Sequence, residues 1–120
     1  MGVSKSRVED AAKARLAADI VGYSLSLRTA RESVLGDDKG GPDAVLARQV
    51  AMYLCYTGFE LSLARVAAAF ERDRSTVSYA CHRIEDRRDE PAFDQWIDSL
   101  EAIVRQAPAE SAAAPQGVQP

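Results

Sequence analysis

Apolar side chains recur at intervals of three and four residues along most of this chain of 120 residues. No segment alternates apolar with polar residues, as a half-buried strand does. Gly and Pro cluster between the periodic segments, most clearly in residues 36–42, which form a loop signature. The pattern predicts an all-α fold, a small bundle of five to six helices, and the length fits a single domain.

The N-terminal third predicts one or two helices. The first is indicated by an apolar stripe at helical spacing that consists of Val8, Ala12, Leu16, Ile20 and Tyr23. The stripe also fits one uninterrupted helix that continues to Val34. Residues 29–32 nevertheless have the form of a capping box, with Thr29 and Glu32 as its ends. This favours a break, with residues 24–28 as a connector and a second helix after it.

The central part predicts a longer helix followed by two shorter ones. Asp43 is a candidate N-cap for a helix over residues 44–57, and Gly58 suits its C-terminal end. The buried face of this helix is predicted to contain Leu46, Val50, Tyr53 and Leu54. Ser62 then caps a short helix over residues 63–70, with Leu63, Val66, Ala67 and Phe70 directed inward.

A tight turn at Glu71 and Arg72 leads to a helix that Asp73 caps and that runs to about Asp86. Its apolar face is predicted to contain Val77, Ala80, Cys81 and Ile84. The charged cluster at residues 85–90 is interpreted as a solvated helix end or, alternatively, a docking surface for a protein partner.

Pro91 fits the first turn of a last helix, whose apolar positions are Phe93, Trp96, Ile97, Leu100, Ile103 and Val104. Trp96 is expected in the core, although a dimer through its surroundings stays open. The sequence thus divides into a flexible N-terminus (1–6), one helical domain (7–106) and a disordered tail (107–120), which is rich in Ala, Pro and Gln.

Composition excludes several classes of protein. No apolar run is long enough to cross a membrane, and the charged N-terminus lacks the apolar region of a secretory signal, which favours a cytoplasmic protein. Cys55 and Cys81 are interpreted as core residues, and with His82 as the single histidine no metal site or other cofactor is expected. No nucleophile, base and orienting group form a set, so the chain is not expected to be an enzyme.

Charge is unevenly distributed along the chain. Residues 1–43 carry equal numbers of basic and acidic side chains, residues 44–84 carry a net +2, and residues 85–120 carry a net −5, which together give the overall −3. A mildly basic middle is compatible with a local surface for anions, although the overall charge argues weakly against nucleic acid.

The two short helices and their tight turn form a helix-turn-helix pattern. In such a unit the N-terminal end of the second helix is presented to the DNA major groove. Arg74, Ser75 and Thr76 occupy that end, and their guanidinium and hydroxyl groups are suited to base edges. Many helical bundles contain such corners without binding DNA, so the pattern alone leaves a purely structural role open.

Residues 47–85 resemble the C-terminal DNA-binding domain, domain IV, of the bacterial replication initiator DnaA. The matching segments are ARQVAMYL, the SL that opens the short helix, AAAF, and RDRSTVSYACHRIE, and they keep nearly the spacing of the family. A weaker similarity extends the match to residues 8–90. The resemblance implies a Trp-repressor-like helical fold and a small stand-alone protein related to DnaA that adjusts replication initiation.

The resemblance also implies a set of DNA-binding residues. Arg48 matches an arginine that reads the minor groove, and Arg83 matches a basic position later in the recognition helix. Phosphate contacts are implied at the start of the short helix, and base reading at the start of the next. The full set is Arg48, Ser62, Leu63, Arg72, Asp73, Arg74, Ser75, Thr76 and Arg83.

The chain departs from the family pattern at three points. Arg74 stands where the family has a histidine, and Tyr56 stands where it has a lysine. The turn is one residue shorter, and Glu71 stands where small residues such as glycine are usual. The first change adds positive charge, whereas the other two place a neutral and an acidic side chain near the expected DNA surface.

The leading hypothesis is therefore a sequence-specific protein that binds double-stranded DNA with DnaA-site-like sequence and modulates chromosomal replication initiation. One alternative is transcriptional regulation. Another is a protein-interaction module whose acidic C-terminal helix binds the replication initiator or its regulatory ATPase without reading DNA. Neither a membrane nor a small-molecule substrate is expected as a partner.

Overall fold

The structure, a computed structural model, describes residues 5–25 and 42–107. These residues form five helices and no strand. The helices are α1 (Lys5–Leu25), α2 (Pro42–Thr57), α3 (Leu63–Phe70), α4 (Arg74–Arg87) and α5 (Pro91–Gln106). The prediction of an all-α fold is confirmed. The capping box at Thr29, the loop at 36–41 and the tail at 108–120 lie outside the described residues.

Helix α2 lies at the centre of the bundle, and α1, α3, α4 and α5 all pack against it. The predicted positions Val50, Tyr53 and Leu54 are buried, whereas Leu46 is partly buried against the core. The core also includes other residues from almost every side of this helix: Ala47, Ala51, Met52 and Cys55. A helix buried on nearly all sides shows little periodicity, so the sequence pattern indicated only part of its core face.

The predicted apolar stripe of α1 is fully buried only at Ala12. Val8 is 50% exposed and Tyr23 is 88% exposed, and Leu16 and Ile20 are only partly buried, so the prediction is wrong at these positions. The buried face consists of Ala12 together with Asp10, Ala14, Ala17, Ala18, Val21 and Gly22. Small alanine side chains allow α1 to lie close to α2 and α3, and the larger apolar residues lie beside the contact.

Two predicted helix boundaries shift. Helix α2 begins at Pro42, so Asp43 lies within the first turn and is not its N-cap. Proline is well suited to a first helical position because its missing N–H would have no partner there. Helix α1 extends to Leu25, so Ser24 and Leu25 belong to the helix and not to a connector.

Helix α5 closes one side of the bundle. Phe93, Ile97, Leu100 and Val104 are buried as predicted, whereas Ile103 is 50% exposed. Trp96 is partly buried beside the core, and its indole N–H donates to Ser24 Oγ at 2.7 Å. Its ring also meets Phe93 edge to face, with centroids 5.6 Å apart. The indole joins α5 to the end of α1 and keeps its polar edge near solvent.

Arg88 belongs to a polar network, and the prediction that residues 85–90 form only a solvated helix end is wrong at this position. Its guanidinium donates to Asp94 at 2.6 Å and to Asp98, and it lies 3.3 Å from Glu101. It also donates to the Tyr53 hydroxyl at 3.1 Å. The network joins the end of α4 to α5 and to central helix α2.

Charge and burial in this network shift two pKa values. Burial, assisted by a 2.6 Å hydrogen bond to Glu85, raises the pKa of Tyr53 to about 12. Burial acts to lower the pKa of Arg88, but its hydrogen bonds to Asp94 and Tyr53 and the charge of Glu101 outweigh this and raise it. Tyr53 and Arg88 therefore stay in the protonated forms that the network needs.

Gly58 follows α2 at a point where α5 comes very close. A Cβ at this position would lie 2.7 Å from Val104 Cγ1 and 2.8 Å from the carbonyl oxygen of Leu54. Glycine is therefore needed for close approach of the two helices.

Among the described residues, no helix is long and apolar enough to cross a membrane.

We expect Gly58→Ala to lower the free energy of unfolding by about 1–3 kcal/mol, because the added methyl overlaps Val104. Urea denaturation measures the change. In a Val104→Ala background the same substitution should cost less, because the overlapping carbon is gone. Equal costs in the two backgrounds would contradict the close approach.

We expect Arg88→Ala to destabilise the protein by about 2–3 kcal/mol, because Asp94 and Asp98 lose this cationic partner and Glu101 keeps only the more distant Arg105, at 3.9 Å. Arg87→Ala is the matched control. Arg87 is half-exposed, lies 4.0 Å from Glu90 and has its guanidinium 4.0 Å from the centroid of the Phe93 ring, so its loss should cost about 1 kcal/mol. Thermal unfolding of both variants compares them, and similar losses would show that the network adds little.

Candidate nucleic-acid interface

Helix α3 begins as the sequence predicts. Ser62 is its N-cap, with extended backbone angles, and its hydroxyl accepts a hydrogen bond from the Arg65 amide at 3.2 Å. Val66, Ala67 and Phe70 are buried, and Leu63 is partly buried against the core. The hydroxyl thus already stabilises the first turn of the helix, which agrees with a preference for serine at this position.

An ion pair fixes α3 on α1. Arg65 donates two hydrogen bonds to Asp10, at 2.8 and 2.9 Å, and the Asp10 carboxylate is buried. This bidentate contact raises the pKa of Arg65. The sequence does not predict this ion pair, because nothing in the local pattern links residues 55 positions apart.

The turn between α3 and α4 is built around Glu71. This residue adopts a left-handed conformation (φ 56°, ψ 49°), and its amide donates to the last carbonyls of α3. The Arg72 amide donates to the Ala67 oxygen at 3.0 Å. The Arg72 guanidinium donates to the carbonyl oxygens of Phe70 and Glu71. The Arg72 guanidinium, for which a DNA contact is predicted, therefore also stabilises the turn.

The start of α4 carries the predicted reading residues. Asp73 is at the N-cap position, but its side chain makes no capping hydrogen bond, so that part of the prediction is wrong. Its carbonyl oxygen instead accepts from the amides of Thr76 and Val77. Arg74, Ser75 and Thr76 are all exposed, and they follow one another in the first turn. The predicted inward face is confirmed, since Val77, Ala80, Cys81 and Ile84 are buried.

The outer face of α4 continues with larger side chains. Tyr79 is 58% exposed, and the Arg83 guanidinium lies over its ring, 5.9 Å from the centroid. His82 is exposed, and its Nδ1 lies 2.9 Å from the Ser78 carbonyl oxygen. Arg83 thus lies on the same helix as the predicted base-reading residues, two turns further along.

A groove of about 260 Å³ lies at the surface where α4 meets α2 and the start of α3. Its lining includes Tyr56, Leu63, Ser78, His82 and Glu85. The neighbouring Cys81 thiol is buried, and burial raises its pKa to about 11, so it stays uncharged near neutral pH. Burial also raises the pKa of Cys55, and both cysteines are core residues, as predicted.

Arg48 is on a different element from the other predicted residues. It is half-buried on α2, whereas Ser62 and Leu63 open α3 and the other six lie in the turn and α4. Arg72 and Asp73 lie in the turn, and Arg74, Ser75 and Thr76 follow in the first turn of α4, so these five residues occupy one end of that helix. The roles assigned to all nine residues stay predictions.

The orientation of α4 depends on a contact that the sequence analysis did not find. The Tyr53 hydroxyl donates to Glu85 Oε2 at 2.6 Å, which ties the last turns of α4 to α2. The two residues lie 32 positions apart and belong to different periodic patterns. No signal in a single sequence pairs them.

A short helix, a three-residue turn and a longer helix with an exposed N-terminal end together define a helix-turn-helix domain. Comparison with known proteins specifies the type. The family described as bacterial DnaA protein helix-turn-helix matches residues 31–84. The chain thus carries a helix-turn-helix domain similar to domain IV of DnaA.

Individual relatives agree with this assignment. Chromosomal replication initiator protein DnaA 2 of Chlamydia pneumoniae is 46% identical over 65 residues, which cover 52% of this chain and 14% of that protein. DnaA of Tropheryma whipplei (strain Twist) is 39% identical over 62 residues, with 50% and 13% covered. The chain therefore corresponds to a small part of the length of these relatives.

Solved structures show the same relationship. The crystal structure of a DNA replication initiation factor superposes with a TM-score of 0.70 and 28% identity, over 81% of this chain and 29% of that one. The structure of replication initiator DnaA bound to AMPPCP and single-stranded DNA gives a TM-score of 0.67, again at 28% identity, over 80% and 28%. The similarity of fold thus extends over most of the chain.

We expect Glu71→Gly to raise the free energy of unfolding by up to about 1 kcal/mol, because glycine adopts the left-handed conformation without a steric cost. Glu71→Gln keeps that cost and removes only the charge, so it is the matched control. Urea denaturation compares both with the parent protein. A gain in the glutamine variant equal to that in the glycine variant would assign the effect to charge.

Proposed function

We propose that this protein binds double-stranded DNA through α3 and α4 and prefers a sequence related to the sites of DnaA. The observation that carries the proposal is the exposed run Arg74, Ser75 and Thr76 at the start of α4, within a DnaA-like helix-turn-helix. A second helix that begins with exposed donors is the element that such domains place in the major groove.

The residues divide into two functional groups. Arg74, Ser75 and Thr76 read base edges: the guanidinium is suited to guanine O6 and N7, and the hydroxyls and the threonine methyl are suited to other base edges. Ser62, Leu63 and the α3 start lie against the phosphate backbone, together with Arg72 and the backbone of Asp73. Arg48 reaches the minor groove, and Arg83 contacts phosphate further along α4.

Charge near the reading end supports this division. The segment from Glu71 to Arg83 carries three arginines and two acidic residues. Arg72 and Arg74 flank Asp73, so the first turn of α4 keeps a net positive charge beside its own N-terminal dipole. Glu71 opposes phosphate, and Tyr56 offers no cation, so we expect weaker backbone attraction than a fully basic surface would provide.

Occupation of a site is sufficient for the biological role that we propose. A protein that holds a DnaA-type site on the chromosome excludes or recruits other proteins there and thereby modulates replication initiation. The same action at a promoter regulates transcription. The proposal places the protein at the nucleoid and requires no catalytic step.

The alternative, a module that binds the replication initiator or its regulatory ATPase through the acidic C-terminal helix, has less support. Asp94, Asp98 and Glu101 are all paired with Arg88. Much of the negative charge in α5 is therefore used within the domain. An interaction in addition to DNA binding is compatible with the fold.

We expect Arg74→Ala to weaken binding to the preferred duplex by about 1–3 kcal/mol and to relax base preference at one position. Duplexes are first selected from a randomised library with the purified chain, and fluorescence anisotropy then compares the selected duplex with a scrambled one. In a salt series, log K of the parent protein should fall with a slope of about −0.9 per phosphate contact.

Arg105→Ala is the matched control, since it removes the same charge from α5. Its binding should differ little from that of the parent protein. Equal losses in the two variants would mean that Arg74 acts by charge alone. If the parent protein binds selected and scrambled duplexes equally, the proposed function is wrong.

A further inference from the structure

We infer that Tyr79 is a specificity-determining residue of the recognition helix and that its ring packs on the methyl group of a thymine in the major groove. This inference rests on the proposed function and adds a base contact to it. It is drawn from the position of Tyr79 on α4, from its exposure and from its contact with Arg83.

Tyr79 lies at the middle of the outer face of α4. The buried face is marked by Val77, Ala80, Cys81 and Ile84. With 3.6 residues per turn, Ser75 and Tyr79 lie within about 40° of each other on the opposite side. The ring is therefore one turn beyond the Ser75 hydroxyl and points in nearly the same direction.

The exposed ring of Tyr79 is the large apolar surface on the outer face of α4. Among the exposed large hydrophobic side chains of residues 5–25 and 42–107, Tyr79 alone lies on α4, and 58% of it is accessible. A polar side chain would be more favourable at the centre of a solvated helix face. An aromatic ring there gains free energy when it is covered by another apolar surface.

Arg83 holds the ring in place. Its guanidinium lies 5.9 Å from the ring centroid, one turn further along the helix. This cation–π contact restricts the motion of both side chains before binding. A restricted aromatic ring loses less conformational entropy when it packs against a ligand.

The geometry of the DNA major groove indicates which chemical group of the DNA Tyr79 contacts. A residue at the centre of the outer face meets base edges, whereas residues at the sides of the face meet the two backbones. The thymine C5 methyl is the apolar group that the major groove displays, and apolar side chains read it by contact. The tyrosine ring is the largest apolar surface that the outer face of α4 offers to it, one turn beyond the smaller methyl of Thr76.

The test combines variants of Tyr79 with uracil substitution in the DNA. The duplex that the parent protein selects from a randomised library is synthesised with each thymine in turn replaced by uracil, which removes only the methyl. At one position or two adjacent positions, uracil should weaken binding of the parent protein about fourfold, the equivalent of ~0.8 kcal/mol for one buried carbon group.

Tyr79→Ala should weaken binding to the thymine duplex about tenfold. It should also abolish the effect of uracil at that position, because the two changes remove the same contact. Tyr79→Phe should keep both the affinity and the uracil effect. Ile103→Ala, which truncates a side chain of similar exposure on α5, is the matched control and should change neither.

Three results would overturn the inference while leaving the proposed function intact. These are selective binding that Tyr79→Ala leaves unchanged, a uracil effect that persists in Tyr79→Ala, and a loss in Tyr79→Phe as large as that in Tyr79→Ala. The last result would assign the tyrosine to phosphate through its hydroxyl. Failure of the parent protein to select any duplex would overturn both proposals together. Circular dichroism confirms that each variant keeps its helices.

Discussion

The burial of α2 is the constraint on which the rest of the structure depends. This helix presents core residues on nearly all sides, from Ala47 to Cys55, and the four other described helices pack around it. Burial on this scale is the main favourable contribution to folding, at roughly 25 cal/mol per Å² of apolar surface. Since α4 packs directly on α2, the central helix also determines where α4 lies.

Polar contacts at the edge of this core then fix the angle of each outer helix. Asp10 and Arg65 join α1 to α3, Tyr53 and Glu85 join α2 to α4, and Arg88 joins α4 to α5. Apolar packing is largely non-directional, whereas charged hydrogen bonds require a particular geometry. The combination holds the first turn of α4 in a defined position at the surface, which is what a base-reading element requires.

The turn before α4 combines an unfavourable backbone conformation with hydrogen bonds from a charged side chain. Glu71 takes a left-handed conformation that glycine would adopt more easily, and Arg72 closes the turn from the other side. The turn therefore closes by its own hydrogen bonds, although it contains no glycine.

The helices and the turn that carry the predicted site residues were easier to predict from the sequence than the core was. Short helices with clear caps and turn residues are determined locally, so Ser62, the turn at Glu71 and the inner face of α4 could all be read from residues a few positions apart. The buried face of α1 could not be, because alanines and one aspartate formed the contact while Val8 and Tyr23 stayed exposed. An apolar periodicity predicts that the most hydrophobic residues face the core. Where two helices lie close together, however, the contact needs small side chains such as alanine.

The sequence by itself thus determined the all-α class, the helix-turn-helix and the exposed residues at the start of α4, because each depends on short-range propensity and capping. Only the tertiary structure decided which side of α1 is buried. It also placed the half-buried Arg88 among carboxylates and brought Val104 so close to Gly58 that a Cβ would not fit there. It also decided that Tyr79 stands outward beside Arg83. These features depend on contacts between distant segments, whose partners are specified only when all helices pack around α2.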